Sequence, residues 1–164
     1  MEVDKRTKAL IFDIDGTLAD SMPLHLAAWQ YAAEQHGFVY DETFFLSVAG
    51  MSPASKRHYF EALMDKVQPI TPVVEILKAY AGKLPIAAGT GGTRKNAEKV
   101  LEIIGVSHLI EILVTSDDVE HPKPAPDTFL QCAARLGADP AYCQVYEDGD
   151  YGIQAAQKAG MMVT

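Results

Sequence analysis

Only two cysteines occur in the 164 residues, Cys132 and Cys143, and neither sits in a Cys-x-x-Cys or Cys/His metal spacing. That argues against a disulfide framework or a zinc site and fits reduced thiols in a reducing compartment. Basic residues are scarce as well: 14 Lys and Arg stand against 22 Asp and Glu, a formal net charge of −8. This deficit argues against nucleic acid or an anionic membrane as the main partner, since both call for a basic face. It leaves room for a small anionic substrate held by a few local charges. No apolar run approaches the ~20 residues of a membrane span, and the opening "MEVDKRTK" has no apolar signal core. Internal repeats and low-complexity tracts are lacking too. A soluble, cytoplasmic protein is expected, with one proper core and room for a small insertion.

What is present is alternation. "ALIF" (Ala9–Phe12), "LPIAAG", "IEILVTS", "CQVYE" and "MMVT" read as strands. Helices are expected over Met22–His36, stopped by Gly37, and over "TPVVEILKAYAG", with Thr71 as cap and Pro72 first. "TRKNAEKVLEIIG", "APDTFLQCAARLG" and "YGIQAAQKAG" read as three more, each closed by glycine. This order predicts an α/β fold: a Rossmann-like parallel sheet with helices on both faces. Between Asp20 and Gln68 the rhythm fails, with two or three helices and no clear strand. One of these helices is expected to start near Asp41, and another to open at Ser52 and Pro53. Residues 1–19 and 69–164 are therefore expected to form the α/β core, and residues 20–68 a small α-helical cap inserted after the first strand.

Open parallel sheets bind ligands beyond the carboxyl ends of their strands. Asp13, Asp15 and Thr17 follow the first strand, with Asp20 just past a turn, where it also reads as a helix cap. Thr90, Gly91 and Gly92 follow the second strand, and Asp117, Asp118 and Lys123 the third. Glu147, Asp148 and Asp150 follow the fourth. Asp13 and Asp15, two apart, point to one side of an extended chain. With Glu147 and Asp148 they form a set of oxygen ligands suited to a hard cation, and Mg²⁺ is favoured over Ca²⁺ because so few ligands are offered. That metal is expected to be the positive partner that keeps the buried carboxylates ionised. Thr90 and the amides of Gly91 and Gly92 precede a helix N-terminus that favours anions, and Lys123 adds a charge. Asp13 is then the candidate nucleophile on a phosphoryl group, and Asp15 the acid/base. Thr90, Lys123 and the metal stabilise the transferring group. Asp117 and Asp118 belong either to this acidic rim or to the turn alone.

"DIDGT", "GTGG", "KPAPD" and "YEDGDYGIQAAQKAGM" together resemble the four motifs of the haloacid-dehalogenase superfamily of phosphotransferases. Within it the chain looks like the β-phosphoglucomutase-like branch and is similar to sugar phosphatases of the fructose-1-phosphatase type. The resemblance implies the same roles for Asp13, Asp15, Thr90 and Lys123, and Mg²⁺ held by Asp13, the Asp15 carbonyl, Asp148 and Glu147. It also implies substrate contacts from His25 and Trp29, which stand in "HLAAW" like the family's His-x-x-x-Trp stretch; a packing pair on one helix face is the alternative. Two departures stand out. The cap is short for the family, which leaves it either reduced or incomplete in this sequence. Pro53 stands where the mutases carry an arginine for the distal phosphate, with Lys56 or Arg57 as substitutes. The expected function is a Mg²⁺-dependent phosphatase of a small sugar phosphate, acting through an aspartyl phosphate, as a monomer. The alternatives are a β-phosphoglucomutase and, outside enzymes, a phospho-accepting receiver-like domain.

Overall fold

Ala9–Phe12 form strand β1, and all four residues are fully buried. A strand buried on both sides calls for helices on both faces of its sheet. That arrangement is found in the computed structural model, which describes residues 2–37, 39, 41 and 54–164. The chain continues through β2 (Ala19–Asp20), α1 (Met22–His36), α2 (Ala54–Leu63), β3 (Gln68–Pro69) and α3 (Thr71–Tyr80). Then follow β4 (Ile86–Gly89), α4 (Arg94–Ile103), β5 (Ile112–Val114), α5 (Asp127–Leu136), β6 (Cys143–Tyr146), α6 (Asp150–Lys158) and β7 (Met162–Val163). The expected α/β sheet is present, in the order β5-β4-β1-β6-β7 with every pair parallel.

Side-chain alternation along β1 divides the core. Leu10 and Phe12 join Val74 and Leu77 of α3 and Val100 and Leu101 of α4 on one face. Ala9 and Ile11 join Phe129 of α5 and Ala155 and Ala156 of α6 on the other. Tyr146 stacks on Phe12 with ring centroids 4.9 Å apart. Cys132 and Cys143 lie free and buried in the second cluster, where burial pushes their thiols up to about 12 and about 11. They are packing residues with little thiolate.

Register decides what the sheet can present. Phe12 pairs with Ala88 on one side and with Tyr146 on the other, and Gly89 pairs with Val114. Asp13 and Glu147 therefore emerge level at one edge, with Thr90 one residue beyond them on the neighbouring strand. The chain leaves the sheet through β2 and returns through β3, and these two short strands pair antiparallel, Ala19 with Pro69 and Asp20 with Gln68. Between them α1 and α2 lie together, Tyr31 stacked on Tyr59 at 4.3 Å. Ala28, Phe60 and Met64 of this block share one apolar cluster with Leu10 and Phe12, so the helices rest on the sheet's first face.

Four expectations are corrected or left aside. Asp20 caps no helix: it is exposed and paired within β2, and Ser21 is the residue preceding α1. The helix expected to begin after Thr71 includes that residue, with Ile70 at its cap position. The helix near Asp41 and the opening at Ser52 and Pro53 fall outside the described residues. Among the described residues no helix is long and apolar enough to cross a membrane.

Candidate active site

Asp13 leaves the tip of β1 with its amide donating to the Tyr146 carbonyl at 3.0 Å and its side chain 7% exposed. Lys123 meets it, Nζ donating to Asp13 Oδ1 at 2.6 Å, to Glu147 Oε2 at 2.7 Å and to the Gly89 carbonyl at 3.2 Å. Burial alone would lower the Lys123 ammonium, but the charges of Asp13 and Glu147 reverse this and raise it. Asp13 remains under strain all the same. Burial, aided by the neighbouring charges of Glu147 and Asp15, pushes its carboxyl well above the ordinary range despite Lys123.

This corrects the expectation that a metal alone is the carboxylates' positive partner, because Lys123 already serves two of them. It also leaves a demand for more positive charge, and the donor set can meet it. One oxygen each from Asp13, Glu147 and Asp148 lie within 4.8 Å of one another. Asp148 Oδ1 accepts from Thr17 Oγ1 at 2.7 Å, which fixes the carboxylate's orientation. Hard oxygen donors in that number suit Mg²⁺ with waters and a phosphate completing its shell. Glu147 is the most committed of the three: Oε2 faces Lys123 and Oε1 accepts from the Gly149 amide at 3.0 Å.

Gly16 allows this approach. It has φ +93°, and a Cβ there would run into the Asp148 carboxylate. Gly16→Ala is therefore expected to cost about 1–2 kcal/mol in left-handed backbone strain. It should also weaken Mg²⁺ binding by about 10–100-fold through a displaced ligand. Thermal unfolding with and without Mg²⁺ checks both, and an unchanged Mg²⁺-dependent shift in Tm would remove Asp148 from the ligand set.

Asp15 turns the other way. Its Oδ1 accepts from Ser21 Oγ at 2.6 Å and lies 3.1 Å from His25 Nε2, and its Oδ2 accepts from Thr90 Oγ1 at 3.4 Å. Burial would raise this carboxyl, but His25, Ser21 and the charge of Lys56 together hold it at about 2. His25 is itself fixed, stacked on Phe60 at 3.9 Å and contacted on Nδ1 by Lys56 Nζ at 2.7 Å. A lysine donor on Nδ1 leaves Nε2 to carry the proton and donate to Asp15. Burial lowers Lys56 to about 8.

Thr90 accepts from the Gly92 amide at 3.0 Å, and Ser116 pins the Gly92 carbonyl with its amide and hydroxyl, both at 3.0 Å. Gly91 faces open space. Trp29 faces Lys56, whose Nζ lies 5.8 Å from the indole centroid. Asp117 and Asp118 resolve as turn residues. Asp117 accepts from the Arg94 amide at 2.8 Å, and Asp118 accepts from the Thr115 amide and hydroxyl and from Arg94 and Arg135.

The structure thus brings Asp13, Lys123, Glu147 and Asp148 into one group, and Asp15, Thr90 and His25 into a second beside it. Asp20 joins neither. Sequence reasoning missed Ser21, which precedes α1 without a side-chain capping bond and gives its hydroxyl to Asp15. It also missed Asn96, in the first turn of α4, which borders a cavity shared with Asp15 and Thr90.

The chain is similar to several known proteins. The chain is 39% identical to the fructose-1-phosphate phosphatase of Escherichia coli (strain K12), over 96% of this chain and 95% of that protein. That match spans 179 residues against 164 here, so at least 15 positions of the relative have no counterpart in this chain. It is 28% identical to the beta-phosphoglucomutase of Bacillus subtilis (strain 168), over 94% of this chain and 80% of that one. The crystal structure of a hydrolase from Pseudomonas syringae superposes with a TM-score of 0.86 at 26% identity, covering 96% of this chain and 82% of that one. The model of the haloacid dehalogenase-like hydrolase family matches residues 39–160. With a buried aspartate at the tip of the central strand, a lysine upon it and acids on the neighbouring strand, the chain belongs to the haloacid dehalogenase-like hydrolases.

Proposed function

We propose that the chain is a Mg²⁺-dependent phosphatase of a small sugar phosphate, with Asp13 as nucleophile and Asp15 as acid/base. One observation carries the reading. Asp13 is buried among Lys123, Glu147 and Asp148, while Asp15, two residues on, is held apart by Ser21, His25 and Thr90. Two carboxylates so close in sequence thus have separate surroundings and can take separate tasks. The 39% identity to a fructose-1-phosphate phosphatase supports a sugar phosphate as substrate class.

Asp13, Glu147, Asp148 and the Asp15 carbonyl would hold the Mg²⁺, whose charge offsets that of the phosphoryl oxygens. An Asp13 oxygen attacks phosphorus and the bond to the sugar oxygen breaks, that oxygen taking a proton from Asp15. Asp15, ionised again, removes a proton from water, which attacks the aspartyl phosphate and frees Asp13. The donors on Asp15 suit the ionised form needed in the second half. The negative ester next to Asp15 favours the protonated form needed in the first. Lys123, Thr90 and the amides of Gly91 and Gly92 neutralise the moving oxygens. Residues 20–68 act as a cap, contributing His25 and Trp29 from α1. A mutase needs a second phosphate grip, and Lys56, a candidate for it, is 7% exposed and already engaged with His25.

The test is phosphate release from a panel of sugar phosphates, with Mg²⁺ and with EDTA. Hydrolysis of one or a few of them, abolished by EDTA, is expected. Conversion of β-glucose 1-phosphate to glucose 6-phosphate without phosphate release would establish the mutase instead. Stable phosphorylation by acetyl phosphate without turnover would establish a receiver.

Lys56 adds a pH signature. With a folded value near 8, its charge should be lost in the alkaline range, releasing its hold on His25 and the ionised Asp15. The plot of kcat/KM against pH is expected to fall above about pH 8, and Lys56→Arg should move that limb upward. Stability moves the opposite way. The unfolded lysine holds its proton up to about 10.5, so between about 8 and 10.5 the folded protein binds fewer protons and gains stability as pH rises. A limb that stays in place in Lys56→Arg would assign it to another group.

A further inference from the structure

Asn96 is the third residue of α4, where a side chain leans back toward the helix N-terminus and so toward Thr90 and Gly92. Its side-chain oxygen Oδ1 is buried and has no hydrogen-bond partner; among the described residues no other buried side-chain nitrogen or oxygen is so placed. Such an atom carries its full desolvation cost, and a native protein retains few of them without a use. Asn96 borders a cavity of about 30 Å³. Asp15, Thr90 and Asn96 give it a polar wall, and Ile14, Phe60 and Val100 an apolar one. The space has room for a water or a hydroxyl group. Gly92 helps to keep the space open, since a Cβ there would come within 3.4 Å of Thr90 Oγ1 and 3.8 Å of Asp15 Oδ2.

We propose that Asn96 determines specificity by accepting, at Oδ1, a hydrogen bond from a substrate hydroxyl seated in this cavity. The proposal rests on the phosphatase reading, because that reading puts the leaving oxygen on Asp15. A group that fills a cavity walled by the same Asp15 is a few bonds from the ester oxygen. The substrate class is thereby narrowed to phosphate esters bearing a hydroxyl on the carbon next to the ester carbon, as in sugars and polyols. Simple alkyl phosphates are disfavoured because they leave Oδ1 buried and unpaired, which is how a polar site rejects an analogue lacking its hydroxyl.

The test uses two non-hydrolysable ligands that differ by one hydroxyl, 3-hydroxypropylphosphonate and propylphosphonate, titrated calorimetrically into the wild type and Asn96→Ala with Mg²⁺. The wild type is expected to prefer the hydroxylated ligand by about 10-fold or more, and the variant to bring that ratio close to one. Equal ratios in the two proteins would overturn the proposal and leave Oδ1 the partner of a structural water only. Should Asn96→Ala fail to fold, a crystal structure of the wild type with 3-hydroxypropylphosphonate decides: a hydroxyl within hydrogen-bond reach of Oδ1 upholds the proposal, and one directed elsewhere overturns it. Mg²⁺-dependent phosphate release from the panel of sugar phosphates by the wild type, run alongside, tests the phosphatase reading separately, since the binding ratio requires no catalysis.

Discussion

Asp13→Asn is expected to fold like the wild type and to lose at least about four orders of magnitude in kcat, the scale seen when a covalent nucleophile is removed. The two halves of this expectation have different physical grounds. Activity is lost because the amide oxygen is a poor nucleophile toward phosphorus, and no other carboxylate can replace it. Asp15 is held by Ser21 and His25, and Glu147 by Lys123 and the Gly149 amide. The fold survives because the wild-type charge is poorly accommodated: burial already pushes the Asp13 carboxyl well above its usual range. The amide keeps the shape and removes that cost, while Lys123 retains Glu147 at 2.7 Å and the Gly89 carbonyl at 3.2 Å. Phosphate release and thermal unfolding on the same preparation check both halves. Activity within about 10-fold of wild type would remove Asp13 from the nucleophile's role, whatever the stability.

Much of this site was legible because it depends on strand ends, and strand ends are legible. "ALIF", "IAAG" and "CQVY" are short apolar runs, and once they pair in parallel register the residues behind them must meet. Asp13, Thr90, Glu147 and Asp148 follow from that rule alone, whereas Lys123 comes from the loop beyond β5 and is marked by the "KPAPD" motif. The rule fails where the chain has left the sheet. Asp20 reads as a helix cap, but the chain turns at Gly16, with φ +93°, and Asp20 ends exposed in a two-strand ribbon. Ser21 and Lys56 were illegible in their roles for a related reason. Each acts through a contact set by how α1 and α2 settle on the sheet, through packing such as Phe60 on His25 and Tyr31 on Tyr59, and no spacing in the sequence encodes it. Asn96 is the extreme case: only the lack of any partner marks it, and that is a property of the folded chain.

Lys123→Met should have the largest effect on stability, and the size of that effect depends on pH. In the wild type the ammonium lies between Asp13 and Glu147 at 2.6 and 2.7 Å. Removing it leaves two buried carboxylates facing each other, with Asp148 within 4.8 Å, and breaking a buried pair in this way costs about 3–5 kcal/mol. The Asp13 carboxyl, already raised by burial, then lies further above its unfolded value, near 4. Between the two values the folded protein holds more protons than the unfolded chain, so stability falls as pH rises. The variant should be closest to wild type near pH 5 and furthest from it at pH 7.5. Mg²⁺ should restore what the lysine supplied. Binding only to the folded state adds about 2.7 kcal/mol at a hundred times the dissociation constant. Its effect should be larger in the variant, where no ammonium competes for the same oxygens. The phosphoryl group also loses a counter-charge, so kcat should fall by about 10²–10³-fold even with Mg²⁺ saturating. Thermal unfolding at pH 5 and 7.5, with EDTA and with Mg²⁺, separates these contributions. A variant insensitive to both pH and Mg²⁺ would mean that the acids beyond β1 and β6 are satisfied by the protein alone, and the metal would have to be sought elsewhere.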